Sequence, residues 1–162
     1  DQLASLLAEI DLRNTLVIVT SDHGETLGER MALVIDEATA AEFDESLQSV
    51  GYTGEALATT GAILGFIVDS NMSFLDGATL DCENTSGDDC PAVYYLDGDA
   101  TDGLFGSGST PNTATLAAAE ALFLIPDSVL TYYVAAHADY TFSRELFGNA
   151  DSTITVLMFV GS

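Results

Sequence analysis

A pair of neighbouring side chains near the start of the chain could bind a metal ion. Asp22 and His23 lie in the stretch SDHGE (21–25), directly after the apolar run TLVIV (15–19). Carboxylate oxygens suit hard cations, and imidazole extends the choice towards zinc or manganese. Neighbouring residues on a regular strand point to opposite faces, so both can face one ion only where the strand breaks, and Gly24 permits that break. The alternative is a strand-end turn without a metal.

The surrounding segment NTLVIVTSDHGETLGE (14–29) resembles the late metal-binding segment of the sulfatase and alkaline-phosphatase superfamily, and the preceding LASLLAEIDLRNT is similar to the helix and connector that lead into it. The resemblance implies that Asp22 and His23 help to hold a divalent ion: calcium, magnesium, manganese or zinc. Such an ion would polarise an oxygen of a small sulfate or phosphate ester and stabilise the charge of the transition state. Glu25 and Glu29 would support these ligands or are solvated acids.

The resemblance covers residues 1–30 only. A complete site in this superfamily also needs an early nucleophile, which sulfatases carry in the pattern Cys/Ser-x-Pro-x-Arg. The stretch that begins at Cys90 and Pro91 lacks that spacing and follows the metal segment. We therefore expect a fragment or derivative of a metal-dependent ester hydrolase that is not catalytically complete alone. It would be truncated, fused near Met31, or never selected for that chemistry.

The strongly negative charge disfavours anionic partners and indicates adaptation to high salt. The chain of 162 residues has 26 acidic residues, three Arg, no Lys and a formal net charge of -23. This charge disfavours binding to nucleic acids or anionic membranes, since phosphate contacts need cations. The 48 % hydrophobic content is too high for a disordered acidic tail. We expect a folded protein with an acidic shell, adapted to high salt.

The two cysteines suggest a compartment. Cys82 and Cys90 enclose a polar segment rich in Gly, Ser, Asn and Asp, which favours a disulfide over two free thiols or a metal site. A disulfide favours an extracytoplasmic location. The sequons Asn71-Met72-Ser73 and Asn84-Thr85-Ser86 add little, because this pattern is common by chance.

Two further polar groups are weaker candidates for chemistry. Asp97, Asp99 and Asp102 lie in a glycine-containing loop, but the EF-hand pattern fails, which leaves a loose cation loop or a solvated acidic turn. His137 and Asp139 would need a nucleophile such as Ser128 or Ser143 to act as an orienting pair, and no pattern marks either serine. A surface or half-buried histidine is the default interpretation.

The elements that must position these residues follow from the hydrophobic pattern. We predict helices over 1–12, 37–50, 113–125 and 127–138, and strands over 15–19, 31–36, 92–96 and 152–161. Residues 56–68 fit a helix followed by more helix or a strand, and residues 69–112 form an irregular acidic loop region. This stretch 56–68 is 13 residues long, short of the roughly 20 that span a bilayer, so we expect no transmembrane segment.

The fold class predicted is α/β or α+β: a mixed sheet with helices packed on it and the strand around Val17 central. The sulfatase-like part (1–30) and the remainder (31–162) form two units or share one core. A second functional interpretation is a non-catalytic extracytoplasmic domain, because the tail from 121 to 161 distantly resembles the end of a porter subdomain from resistance-nodulation-division exporters. That resemblance implies a ferredoxin-like module of a membrane exporter from a halophile.

Overall fold

The computed structural model of this protein describes residues 15–17, 34–83, 90–97, 103–128, 130–149 and 154–162. The helices are α1 Glu37–Ser49, α2 Leu57–Thr60 and a 3-10 turn Ala117–Ala119. The strands are β1 Thr15–Val17, β2 Val34–Asp36, β3 Ala62–Asp69, β4 Thr79–Glu83, β5 Tyr94–Tyr95, β6 Gly106–Ser107, β7 Thr110–Pro111, β8 Leu122–Pro126, β9 Thr131–Ala136, β10 Glu145–Phe147 and β11 Ile154–Gly161.

The main sheet has four strands in the order β11-β3-β8-β5. All eight residues of β3 (AILGFIVD) are buried, as expected for an apolar strand covered on both faces. β11 runs parallel to β3, whereas β8 is antiparallel to both β3 and β5. Gly65 suits its position in β3 because the ring of Phe123, its register partner on β8, occupies the space that a Cβ atom would need.

A second sheet covers one face of the main sheet. It contains three antiparallel strands in the order β10-β9-β4. Period-two alternation turns every second residue of each strand inward. The buried core of this layer comprises Ile63, Ile67, Leu75, Ala78, Leu80, Tyr95, Phe123, Ile125, Tyr133, Ala135, Leu157 and Phe159.

Helix α1 covers the opposite face of the main sheet. Ala40, Phe43, Leu47 and Val50 recur at helical spacing and pack into a cluster with Leu64, Tyr94, Phe105, Leu124 and Ile154. The Asp44 Oδ1 atom accepts a 2.9 Å hydrogen bond from the backbone N–H of Leu57, so the side chain ties α1 to the first turn of α2. The result is three layers: helix, four-stranded sheet and three-stranded sheet.

Several sequence-based predictions are confirmed. The fold is α+β with a mixed sheet and a few helices. α1 occupies the predicted helix 37–50, and β2 and β11 lie inside the strands predicted at 31–36 and 152–161. The ambiguous stretch 56–68 resolves into the short helix α2 and the strand β3. No helix in the described ranges is both long and apolar enough to cross a bilayer.

The helices predicted over 113–125 and 127–138 are wrong. The first stretch contains only the 3-10 turn before it enters β8, and the second is largely β9. Glu120 and Ala121 have positive φ angles of 56° and 48°, which end the helical turn. Pairing of β8 with the buried strand β3 then overrides the helix propensity of the alanine-rich stretch.

The strand around Val17 also differs from its predicted place. β1 pairs antiparallel with β2 in a separate two-stranded sheet, with Val17 opposite Val34. It is therefore not the central strand of the mixed sheet; β3 and β8 are the inner strands there. The apolar runs AILGFIVD and TLVIV look alike in sequence, and AILGFIVD is the one that pairs on both edges within the main sheet.

Candidate functional site

The predicted metal ligands lie outside the described residues. This holds for Asp22 and His23 and for their candidate supports Glu25 and Glu29. The three described residues before them, Thr15–Val17, form β1, so the motif follows a strand as its pattern predicts. In the described ranges, no group of three or more His, Cys, Asp or Glu side chains is arranged to hold a metal ion. The metal site at Asp22 and His23 stays a prediction.

Of the three acids in the candidate cation loop, Asp97 is the one that the structure describes. Asp97 Oδ2 accepts a 3.2 Å hydrogen bond from Asn112 Nδ2, which also donates to the Tyr95 carbonyl at 3.1 Å. The backbone N–H of Asp97 donates to the carbonyl of Leu104 at 3.0 Å. Asp97 thus helps to close the loop that follows β5, while Asp99 and Asp102 lie outside the described residues.

Both ring nitrogens of His137 form hydrogen bonds with backbone groups. Its Nδ1 atom accepts a 3.1 Å hydrogen bond from the backbone N–H of Asp139, so the proton of the neutral ring lies on Nε2. Nε2 then donates to the carbonyl of Asp76 at 3.1 Å. The ring centroid is 5.2 Å from that of Tyr140. His137 therefore meets Asp139 through a backbone amide, and not in the His–carboxylate geometry that orients a catalytic base.

Ser128, a possible nucleophile by sequence, is part of a buried structural network. Its Oγ atom lies 2.5 Å from the hydroxyl of Tyr133. The backbone N–H of Ser128 donates to Asn149 Oδ1 at 2.7 Å, and Asn149 Nδ2 donates to the Thr60 carbonyl at 2.6 Å. Burial raises the pKa of the Tyr133 phenol above its usual value. The network joins the segment after β8 to β9 and to Thr60 at the end of α2.

Cys82 and Cys90 form a disulfide with their Cα atoms 5.7 Å apart. The bond ties the end of β4 to the segment that leads into β5. Beside it, the Arg144 guanidinium lies 2.7 Å from Glu83 Oε2 and 4.7 Å from the ring centroid of Tyr132. This exposed cluster links all three strands of the second sheet, since Glu83 is opposite Tyr132 on β9 and Arg144 precedes β10.

Three other polar residues with structural roles were missed from the sequence. Thr115 is fully buried; its Oγ1 accepts from the Ala78 N–H at 3.0 Å and donates to the Leu75 carbonyl at 2.7 Å. The Tyr95 hydroxyl accepts from the Leu80 N–H at 2.7 Å. Asp69 Oδ1 accepts 2.8 Å bonds from two backbone N–H groups in the next turn. Only Asp69, in the turn-forming stretch DSNMS, carries a recognisable sequence signal.

The described interior is fully paired: every buried side-chain nitrogen or oxygen in these ranges has a hydrogen-bond partner. Several of these partners are backbone groups, so the side chains hold strands and loops together. Comparison of the chain with protein-family models, with curated proteins and with solved structures found no match.

Proposed function

We propose that residues 34–162 act as a non-catalytic extracytoplasmic domain that works in high salt. The observation that carries this proposal is the Cys82–Cys90 disulfide on the margin of two packed sheets. Structural disulfides persist in oxidising compartments, outside the reducing cytosol. We propose a general module and not an exporter subunit, because the first part of the porter-like tail, predicted as helical, forms the strands Leu122–Pro126 and Thr131–Ala136.

The use of the polar side chains supports a structural role. Ser128, Thr115 and His137 are residue types that can serve as nucleophile or base, yet each has its polar atoms engaged in bonds that fix a turn or a loop. A catalytic serine needs a base within hydrogen-bond reach. The Oγ atom of Ser128 lies within hydrogen-bond distance of the phenol of Tyr133, whose raised pKa keeps it neutral at ordinary pH.

The negative net charge supports the proposed high-salt environment. Two acidic side chains of α1, Glu42 and Glu45, are both exposed. A net charge of -23 produces self-repulsion that dissolved salt screens over a few ångström at molar concentration. High salt therefore lets this sequence stay compact while the acids keep it soluble.

Cell fractionation tests the proposal. An antibody against the full chain would locate it in the source cells, and thiol blocking followed by intact mass measurement would report the state of Cys82 and Cys90. We expect the protein in the extracytoplasmic fraction with both thiols oxidised. A cytoplasmic protein with two free thiols would contradict the proposal.

A second candidate function, metal-dependent hydrolysis of sulfate or phosphate esters, is favoured by one specific observation, the SDHGE stretch that follows β1. Under this proposal Asp22 and His23 supply an oxygen and a nitrogen ligand to one divalent ion. The chain would be a fragment or derivative of such a hydrolase, and its ligand set would need further residues.

Calorimetric titration of the full chain with Mn²⁺, Zn²⁺ and Ca²⁺ tests this second candidate. We expect one site whose affinity falls at least tenfold in both Asp22→Asn and His23→Ala. The matched control is His137→Ala, which removes the other histidine of the chain and should leave the affinity unchanged. Equal binding by all four proteins would show that the ions associate with the acidic surface only.

A further inference from the structure

We propose that Asn71 is an acceptor for an N-linked glycan, and that this glycan covers an exposed apolar patch beside it. Asn71-Met72-Ser73 fits the acceptor pattern Asn-x-Ser/Thr. The three residues lie in the turn after β3, and all three are exposed. The structure around this turn supports the acceptor site beyond the sequence pattern.

The turn has a fixed backbone. Asp69 Oδ1 accepts hydrogen bonds of 2.8 Å from the N–H groups of Asn71 and Ser73, and the N–H of Asp69 donates to the Ser73 carbonyl at 2.9 Å. Met72 adopts a positive φ of 64° at the tip. These bonds hold Asn71 on the surface, so a bulky group on its side chain can extend into solvent without disturbing the two sheets.

An apolar patch borders the turn. Met72 and Phe74, on either side of Ser73, are 54 % and 40 % exposed, and Met158 and Val160 on β11 are 39 % and 45 % exposed. We call these four residues the turn patch.

Strand pairing places three residues of the turn patch, Phe74, Met158 and Val160, on one face of the main sheet. Phe74 forms a bridge with Val68, and Val160 is the register partner of Val68 on its other edge. Residues in register point to the same face of a sheet, so Phe74 and Val160 flank Val68 on one face. Met158 lies on that face too, in register with Phe66, whose ring centroid is 6.3 Å from that of Phe74.

In high salt, an uncovered turn patch would favour self-association of the chain. At low salt, the charge of -23 keeps copies of the chain apart. At molar salt this repulsion is screened, and contiguous apolar surface then favours association. A glycan is bulky and solubilising, and it stays so in salt because it need not be charged. Asn71, next to Met72 in the chain, is well placed to carry such a cover.

The modification is a glycosyl transfer from an oligosaccharide linked to a polyprenyl phosphate or diphosphate. A bond forms between Asn71 Nδ2 and the anomeric carbon of the sugar, and the bond from that carbon to the phosphate oxygen breaks. The lipid phosphate leaves with the electron pair, and a base of the transferase takes the proton that Nδ2 loses.

This inference rests on the proposed extracytoplasmic function, since sequons are glycosylated in secreted proteins. The test is secretion of the full chain, behind an added signal peptide, from a host that N-glycosylates proteins. Peptide mass spectrometry before and after enzymatic removal of N-glycans reports occupancy at Asn71. The same sample reports whether the Cys82–Cys90 disulfide has formed.

Four variants sharpen the test. Ser73→Ala and Asn71→Gln destroy the sequon by different changes, whereas Ser73→Thr retains it and Asn84→Gln removes only the other sequon. We expect a glycan on Asn71 in wild type, Ser73→Thr and Asn84→Gln. We expect Ser73→Ala and Asn71→Gln to lack the glycan and to remain folded, as judged by a thermal melt. In molar salt, these two variants should form oligomers, measured by sedimentation, at a protein concentration at least several-fold lower than wild type does.

Two results would overturn the inference. An unmodified Asn71 in wild-type protein whose disulfide has formed rejects the glycan and leaves the proposed domain function intact. Glycan-free variants that stay as monomeric as wild type in molar salt reject the covering role. Free thiols at both cysteines of the secreted protein would instead contradict the proposed function.

Discussion

The hydroxyl oxygen of Tyr95 accepts a 2.7 Å hydrogen bond from the backbone N–H of Leu80. Tyr95 belongs to the last strand of the main sheet, and Leu80 to the outer strand of the second sheet. Both residues are buried, at 4 % and 7 % exposure. One side chain thus crosses the interface between the sheets and accepts a hydrogen bond from a buried backbone N–H of β4.

Replacement of Tyr95 by Phe should destabilise the protein by about 1–3 kcal/mol, because it leaves the buried N–H of Leu80 without its partner. The free energy of unfolding from denaturant titration measures this change. Tyr94→Phe is the matched control: it removes a phenol from the neighbouring residue, which packs on the helix side of the sheet. Equal stability of Tyr95→Phe and wild type would show that the bond between the sheets contributes nothing.

Stability should fall at alkaline pH. Burial raises the pKa of Tyr95 and of Tyr133 in the folded protein above the phenol value of about 10 expected in the unfolded chain. The unfolded chain therefore loses these protons first, so their contribution is complete below pH about 10 and is lost as pH rises through the folded pKa. The unfolding free energy of Tyr133→Phe should fall less steeply above pH about 10 than that of wild type. Parallel curves would contradict this account.

Removal of the disulfide should lower stability by about 2–3 kcal/mol, the chain-entropy value for so short a loop. The double variant Cys82→Ser/Cys90→Ser is compared with oxidised wild type by denaturant unfolding. Wild type under a dithiol reductant should match the variant. A variant as stable as oxidised wild type would show that the cross-link does not restrict the unfolded chain.

Salt should stabilise the fold, and part of this effect should come from α1. Glu42 and Glu45 are exposed and three residues apart, so they repel each other on one helix face. Glu42→Gln/Glu45→Gln should stabilise the protein by about 0.2–0.5 kcal/mol in dilute buffer, and the gain should vanish at molar salt, where the Debye length is about 3 Å. A gain that persists unchanged in molar salt would have a cause other than charge.

The parts of the fold that could be predicted from sequence have a strong, local pattern. Ala40, Phe43, Leu47 and Val50 repeat at helical spacing, and α1 follows this pattern. The apolar run 154–161 likewise forms β11. Here local preference and tertiary packing favour the same structure, so the sequence alone is sufficient.

The failures occur where distant contacts decide the structure. The stretch 113–125 is rich in helix formers, yet Leu124 pairs with Leu64 of β3, about 60 residues away in the chain. Thr115 bonds Leu75 across 40 residues, and Tyr95 bonds Leu80 across 15. No local pattern in one sequence marks such partners. The sequence favours the disulfide because the two cysteines are close together in the chain, whereas the metal site at Asp22 and His23 stays a motif-based prediction.

Under the proposed function, this chain is a folded module without chemistry of its own. The most direct test is the hydrolysis of an aryl sulfate and an aryl phosphate by the folded full chain in molar salt, with calcium, magnesium, manganese or zinc present. The account predicts a rate equal to that of the Asp22→Ala variant with every ion. A metal-dependent rate that Asp22→Ala abolishes would contradict the account and support the hydrolase.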